Sequence, residues 1–142
     1  MHRIRVIPSL LMENGGLVKT IQFGKRTYLG DPINIIRIFN DKEVDEVALL
    51  DIGATPEKRQ PDFAAIEKIA SQCFMPLAYG GGITHLDQIR QLFKLGVEKA
   101  VLNTSAAENP ALITEAANAF GAQAIVVSID VKKSWTGKYD VV

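Results

Sequence analysis

The chain has 142 residues, 47% of them hydrophobic and 23% charged, with 16 Lys plus Arg balanced by 16 Asp plus Glu. That is enough for one globular domain with a sizeable core and too little for two. A formal net charge of zero leaves no broad basic field for nucleic acid or an anionic membrane. The single cysteine, Cys73, excludes an intramolecular disulfide and suits a reducing compartment. No apolar run approaches the roughly 18 residues of a membrane span. The short apolar start is broken by Pro8, so it does not read as a signal segment. The expectation is a cytoplasmic domain.

Short apolar runs alternate with longer helical patterns along the chain. Ile4 to Ser9 reads as a strand, followed by a loop marked by Gly15, Gly16, Gly24 and Gly30. Asp31-Pro32 is a helix start, an N-cap followed by proline at the first helical position. The helix runs to about Asn40 with Ile35, Ile36 and Phe39 as its apolar stripe. Val47 to Asp51 is a second strand, apolar on both faces. Pro61 to Cys73 has helical spacing through Phe63, Ile66, Ile69 and Ala70. Pro76 to Tyr79 is a third strand that runs into Gly80-Gly81-Gly82-Ile83. Thr84 is read as the cap of the next helix, which holds Leu86, Ile89, Leu92 and Phe93 and ends at Gly96.

Lys99 to Asn103 is the fourth strand. Asn109-Pro110 opens a helix through Leu112, Ile113, Ala116 and Phe120, with Gly121 at its end. Ala124 to Asp130 is the fifth strand, and Lys132 to Val142 begins a hairpin around Thr136-Gly137. The pattern is (βα)4β plus a tail, at roughly 25–35 residues per unit. Such units need right-handed crossovers and a parallel α/β sheet. Two architectures fit: an open five-stranded sheet of flavodoxin type, or part of a (β/α)8 TIM barrel, which takes about 250 residues. On the barrel reading, residues 1–142 are a single domain, a truncated half-barrel plus strand five and the start of a hairpin.

Function in parallel α/β sheets sits at the C-terminal strand ends. Those ends carry Asp51, the triple glycine, Asn103-Thr104-Ser105 and Asp130. Glycine backbone N–H groups can approach an oxyanion closely, and Asn103 and Thr104 supply further donors for the same cradle. Asp130 suits either a turn carboxylate or an acid/base group. Asp51 has the same two readings, with Gly53 and Thr55 nearby favouring turn bonding. Lys19 lies in the first loop, where a lysine can fold over a phosphate, although most loop lysines are simply solvated. His2 and His85 are isolated and show no metal-ligand spacing, so neither a metal nor a cofactor is expected. Cys73 reads as core rather than nucleophile. Trp135 and Tyr139 read as hairpin packing, and Glu13 as a solvated loop residue.

Several of these residues occur together in a distinctive order: Arg5, Ile7 and Pro8; Gly16, Val18 and Lys19; Gly30-Asp31-Pro32; Leu50-Asp51-Ile52; Gly80-Gly81-Gly82-Ile83; Asn103, Ser105 and Ala106; Asn109-Pro110; and Ile129-Asp130. At these spacings the whole chain resembles the cyclase subunit of imidazole glycerol phosphate synthase. The resemblance implies a (β/α)8 barrel of two related half-barrels, each with one phosphate site. It implies a glutaminase partner docked on the strand N-terminal face, whose ammonia crosses the barrel. There the ammonia reacts with a bis-phosphorylated ribulosyl aminoimidazole carboxamide. By the same resemblance, Gly81, Gly82, Asn103 and Thr104 hold a substrate phosphate and Lys19 belongs to a closing loop. Arg5, Glu46 and Lys99 match a charged ammonia gate whose fourth member falls beyond residue 142, and Glu98 lies in the docking surface.

One departure matters more than these matches. The family uses two aspartates as general acid and base, at the ends of strands one and five. Asp130 matches the second, and Leu11 stands at the first. Leucine transfers no proton, which puts ordinary cyclisation in question. Ser9-Leu10-Leu11, Asn14-Gly15-Gly16 and Lys19-Thr20 look more like a surface-polysaccharide paralogue that delivers ammonia to a sugar. A non-catalytic phosphate-binding half-barrel is a further alternative. It exposes raw edges at strands one and five and is expected to self-associate. A flavodoxin-like regulatory or nucleotide-binding domain is the third, and it requires strand one inside the sheet.

Overall fold

A computed structural model describes residues 3–142; His2 lies outside the described residues. Five parallel strands form the frame: β1 (Ser9–Glu13), β4 (Val47–Asp51), β5 (Leu77–Gly80), β6 (Lys99–Leu102) and β7 (Ile125–Val127). Two more, β2 (Gly16–Thr20) and β3 (Arg26–Gly30), form an antiparallel ribbon on β1, so the sheet order is β3-β2-β1-β4-β5-β6-β7. The parallel strands therefore follow chain order, each beside its predecessor. A flavodoxin-type sheet would seat strand one between two parallel neighbours; here its one parallel neighbour is β4. With right-handed crossovers, a sequential order puts every connecting helix on the same face. That progression is the one by which a sheet curls towards a barrel.

Register assigns the two faces. Leu10, Leu49, Tyr79, Ala100 and Ile125 are cross-strand neighbours on one face. They pack with Ile36 of α1 (Pro32–Asp41), Ile66 and Ile69 of α2 (Phe63–Gln72), Ile89 and Leu92 of α3 (Leu86–Lys94) and Leu112 of α5 (Ala111–Phe120). This helix-covered face is the core. The adjacent row, Leu11, Leu50, Gly80, Val101 and Val126, faces the other way. The helices start as the sequence dictates at two places. Asp31 caps α1 by accepting from the N–H groups of Ile33 (2.9 Å) and Asn34 (3.2 Å), and Asp62 caps α2 by accepting from Ala65 (3.0 Å).

Several readings from sequence need correction. The first strand is Ser9–Glu13 rather than Ile4–Ser9; the preceding residues touch the β4 side only, through Val6 and Pro8 carbonyls, and Pro8 has no N–H to extend a ladder. The glycine-marked loop is the β2–β3 ribbon. It turns from β1 at Asn14 (φ +51°) and Gly15 (φ +77°), the left-handed pair of a type I′ hairpin. Strand one is therefore not a raw edge at Leu11–Glu13, and bare edge remains only before Leu11, where Ile4 and Val6 are exposed. The N-cap of α3 is His85, not Thr84, because Gln88 folds back and accepts from both backbone N–H groups.

A short helix, α4 (Thr104–Glu108), also interrupts what reads as loop. The tail forms the expected hairpin, β8 (Val131–Lys133) with β9 (Tyr139–Val141). Trp135 at its tip is 97% exposed and so packs on nothing, while the Lys133 ammonium sits 5.7 Å from the Tyr139 ring.

Candidate functional site

A cavity of about 390 Å³ opens where the strands end. Its floor is the row that faces away from the helices, with Leu11, Leu50, Gly80 and Val101 all lining it. The next residues along β4, β5 and β6 form a polar rim of Asp51, Gly81, Asn103 and Thr104, and Ser128 and Asp130 continue it past β7. The β2–β3 ribbon overhangs one side through Thr20, Phe23 and Arg26, and Val142 reaches it from the tail hairpin. Strand ends and loops thus bring together most of the residues singled out from sequence.

Asp130 and Asn103 touch: the Asn103 Nδ2 group donates to Asp130 Oδ2 over 2.9 Å. An amide held this way fixes one carboxylate oxygen of a residue that lines the cavity. Asp51 is different. It is buried, its Oδ1 accepts from the N–H groups of Gly53 (3.0 Å) and Ala54 (3.1 Å), and Arg59 Nη1 lies 3.5 Å from Oδ2. Both oxygens are engaged, so Asp51 organises the 51–60 loop. Arg59 also pairs with Glu57, the largest cause of its raised pKa, with the Asp51 carboxylate adding to it and burial opposing both.

The glycines are bound up with this loop. Gly81 and Gly82 have φ of +125° and +68°, and a Cβ on Gly82 would stand 2.3 Å from the Arg59 carbonyl oxygen. A Cβ on Gly81 would stand 2.4 Å from the Asp51 carbonyl oxygen. Close approach of the 51–60 loop therefore accounts for these two glycines, with or without an anion at their N–H groups. Gly81 lines the cavity beside Asn103 and Thr104.

Lys19 does not join the site. In the ribbon Thr20 pairs with Arg26 and Lys19 with Thr27, and cross-strand partners share a face. Thr20 and Arg26 face the main cavity, whereas Lys19 lines a shallow groove with Leu17, Leu29 and Ile35. Sequence reading missed Arg26. Its signal was the Asn14-Gly15 turn, which sets the ribbon's register.

A second constellation lies at the opposite strand ends. Glu46, 4% exposed, precedes β4, and its Oε2 is 2.7 Å from Lys99 Nζ and 3.3 Å from Arg5 Nη1. The three residues singled out as a charged ring thus meet in one cluster, with Glu46 buried, Lys99 partly covered and Arg5 exposed. Glu98, beside it, is exposed. Cys73 is half-buried, and its thiol donates to the Met75 carbonyl at 3.3 Å while burial raises its pKa. The Tyr79 hydroxyl is buried without a hydrogen-bond partner, and burial pushes its pKa up as well. His85 is exposed. Among the described residues no group of three His, Cys, Asp or Glu side chains is placed to hold a metal, and no helix is long and apolar enough to cross a membrane.

A family model described as histidine biosynthesis protein matches residues 5–142. A protein of Leptospira borgpetersenii, provisionally named imidazole glycerol phosphate synthase subunit HisF, is 49% identical over 142 residues, covering 99% of this chain and 56% of its own length. A Vibrio vulnificus protein provisionally named hisF3 of the same synthase is 52% identical over 141 residues, covering 99% and 54%. The imidazole glycerol phosphate synthase subunit HisF of Alkaliphilus metalliredigens is 39% identical over 137 residues, covering 96% and 54%. The chain spans little more than half the length of these curated relatives.

Proposed function

The chain belongs to the histidine biosynthesis protein family, a (β/α)8 barrel family of which it presents five parallel strands, and from that premise we propose that it is part of an ammonia-using cyclase barrel. The barrel takes a phosphorylated small-molecule substrate at the C-terminal strand ends and ammonia from a cytoplasmic glutaminase partner at the N-terminal ends. One observation carries the reading. The same sheet places the Asp130 carboxylate, held by the Asn103 amide, at one end and a buried Glu46 paired with Lys99 and Arg5 at the other. Burying the Glu46 carboxylate costs several kcal/mol before its two cations offset it. A gate that passes a small polar molecule along the strand axis gives that cost a purpose.

In this reading the N–H groups of Gly81 and Gly82, with Asn103 and Thr104, hold a phosphate. Asp130 moves a proton at the reacting centre, and Asp51 keeps the glycine turn in place. Glu98 belongs to the docking face.

Leu11 favours a second reading. It lines the cavity floor from the middle of β1, in the same cavity as Asp130, in the position where the family resemblance calls for an acid. A barrel that keeps the ammonia path but loses this acid suits amidation of a sugar in surface-polysaccharide synthesis.

The test joins this chain to the complementary half of a relative and supplies the bis-phosphorylated ribulosyl aminoimidazole carboxamide with ammonium salt. Consumption of the intermediate at a cyclase rate assigns it to the histidine pathway. Consumption only after Leu11→Asp means an intact barrel whose chemistry has moved to another acceptor, as the sugar-amidating reading requires. Failure of both, in a folded barrel, removes the cyclase reading.

A further inference from the structure

The cavity has a charge problem that the glycine cradle leaves unsolved. Asp51 and Asp130 both line it, and both disfavour an anion nearby. Among the described residues lining it, Arg26 is the only Lys or Arg. Arg26 opens β3, opposite Thr20 on the face of the ribbon that overhangs the cavity. Its guanidinium pairs with Glu13, the last residue of β1, whose side chain is 14% exposed. Lys19, one register step away, faces the shallow groove instead.

We propose that Arg26 is the side chain that clamps the phosphate of the cavity's ligand, and that Glu13 is its resting counter-ion. Glu13 holds the guanidinium in place when the cavity is empty and gives it up when a ligand arrives. This rests on the reading of the cavity as a phosphate site, and it names the residue that recognises the charge. A guanidinium offers parallel N–H donors that match two phosphate oxygens. A phosphate monoester carries up to two negative charges against one for a carboxylate, so it competes well for the same fork. The exchange also couples ligand to structure. Arg26 sits beyond the Ile21–Lys25 turn, where Gln22 (φ +50°) and Phe23 (φ +61°) both hold left-handed backbone. Moving the guanidinium from Glu13 to a phosphate draws this turn, with Phe23 at its tip, over the cavity mouth. The Glu13 pair also accounts for a carboxylate that sequence alone reads as solvated.

The experiment titrates inorganic phosphate into the full chain and follows backbone amide shifts. Saturable shifts at Gly81, Gly82, Asn103 and Thr104 are expected. Arg26→Gln weakens them about tenfold, as for loss of a charge-assisted pair, and Arg26→Lys recovers part of the loss. Glu13→Gln tightens binding about threefold because the competitor is gone, an effect opposite in sign to that of a merely structural salt bridge. Saturable binding that Arg26→Gln leaves intact, or that Lys19→Gln weakens instead, overturns the role of Arg26 and leaves the phosphate reading standing. Weakening by Glu13→Gln overturns the counter-ion role. An absence of saturable shifts in the unmodified chain overturns the phosphate reading and this inference together.

Discussion

Asn103 and Asp130, 27 residues apart in the chain, meet across 2.9 Å through an amide-to-carboxylate hydrogen bond. If Asp130 transfers a proton in the assembled barrel, Asp130→Asn lowers kcat by about 10²–10⁴-fold. The change keeps the side chain's shape and one oxygen, so KM moves little. The contact is exposed, and thermal stability should shift by less than about 1 kcal/mol. Steady-state rates paired with thermal melts separate the two effects. A rate loss that merely tracks unfolding would remove Asp130 from the chemistry.

The Glu46 cluster predicts a stability change far from the cavity. Glu46→Gln removes the one carboxylate between Lys99 and Arg5. Lys99 is the more enclosed of the two cations, so most of the cost falls there. Urea unfolding should show a loss of about 1–3 kcal/mol, with Lys99→Met in the same chain recovering part of it. Equal stability of Glu46→Gln and the unmodified chain would show that the pairs contribute nothing net.

Two glycine substitutions separate backbone strain from collision. Gly15 and Gly82 both have positive φ, but a Cβ on Gly15 meets nothing within 4 Å. Gly15→Ala should cost about 1 kcal/mol from conformation alone. Gly82→Ala adds contact with the Arg59 carbonyl oxygen at 2.3 Å and should cost about 2–3 kcal/mol or more. It should also displace the 51–60 loop, visible as amide shifts at Gly53 and Ala54. Equal costs would mean that the loop gives way freely.

Cys73 supplies the pH prediction. Burial is the first cause of its raised pKa, so the folded state retains the thiol proton where the unfolded chain has lost it. Stability from this group is complete below the unfolded thiol value of about 8.5 and is lost as pH rises through the folded value. Iodoacetamide at about pH 8 should label the native chain more slowly than the urea-unfolded chain. Cys73→Ala should flatten the alkaline fall in stability. Equal labelling rates would show an unshielded thiol.

The bare edge of β7 predicts association. Val127 is 42% and Ile129 62% exposed, and Ile4 and Val6 lie open at the other end of the parallel strands. Sedimentation velocity should show a concentration-dependent dimer, and Val127→Lys should weaken it. A single monomeric species across the concentration range would contradict this.

The central strands were legible because they are covered on both sides. Leu49-Leu50 and Val101-Leu102 each put one apolar residue on the helices and the next on the cavity floor, so the sequence reads as an unbroken apolar run. The β2–β3 ribbon was hidden because its faces carry Lys19, Arg26 and Thr27, which look like loop, although Asn14-Gly15 held a hairpin signal. Order along the chain placed Asp130 and Asn103 at strand ends, but their contact depends on side-chain direction. Register put Arg26 on the main cavity and Lys19 on the groove beside it. The triple glycine has a second cause that the sequence did not show, since two of its members also make room for a neighbouring loop. Arg5, Glu46 and Lys99 were found by resemblance, and they meet because all three lie at or before the N-terminal strand ends, with side chains long enough to converge on Glu46.

The cavity is roofed by two ribbons that grow from opposite ends of the sheet: β2–β3 beside β1, and β8–β9 after β7. A molecule that touches both acts as a brace across all five parallel strands, since none of them can slide apart without releasing it. Its binding energy then resists opening of the whole sheet, and occupancy at a hundredfold excess over Kd adds about 2.7 kcal/mol to unfolding. Heat tolerance measured against a panel of phosphorylated sugars and imidazoles thus becomes a readout of ligand identity, with no turnover required.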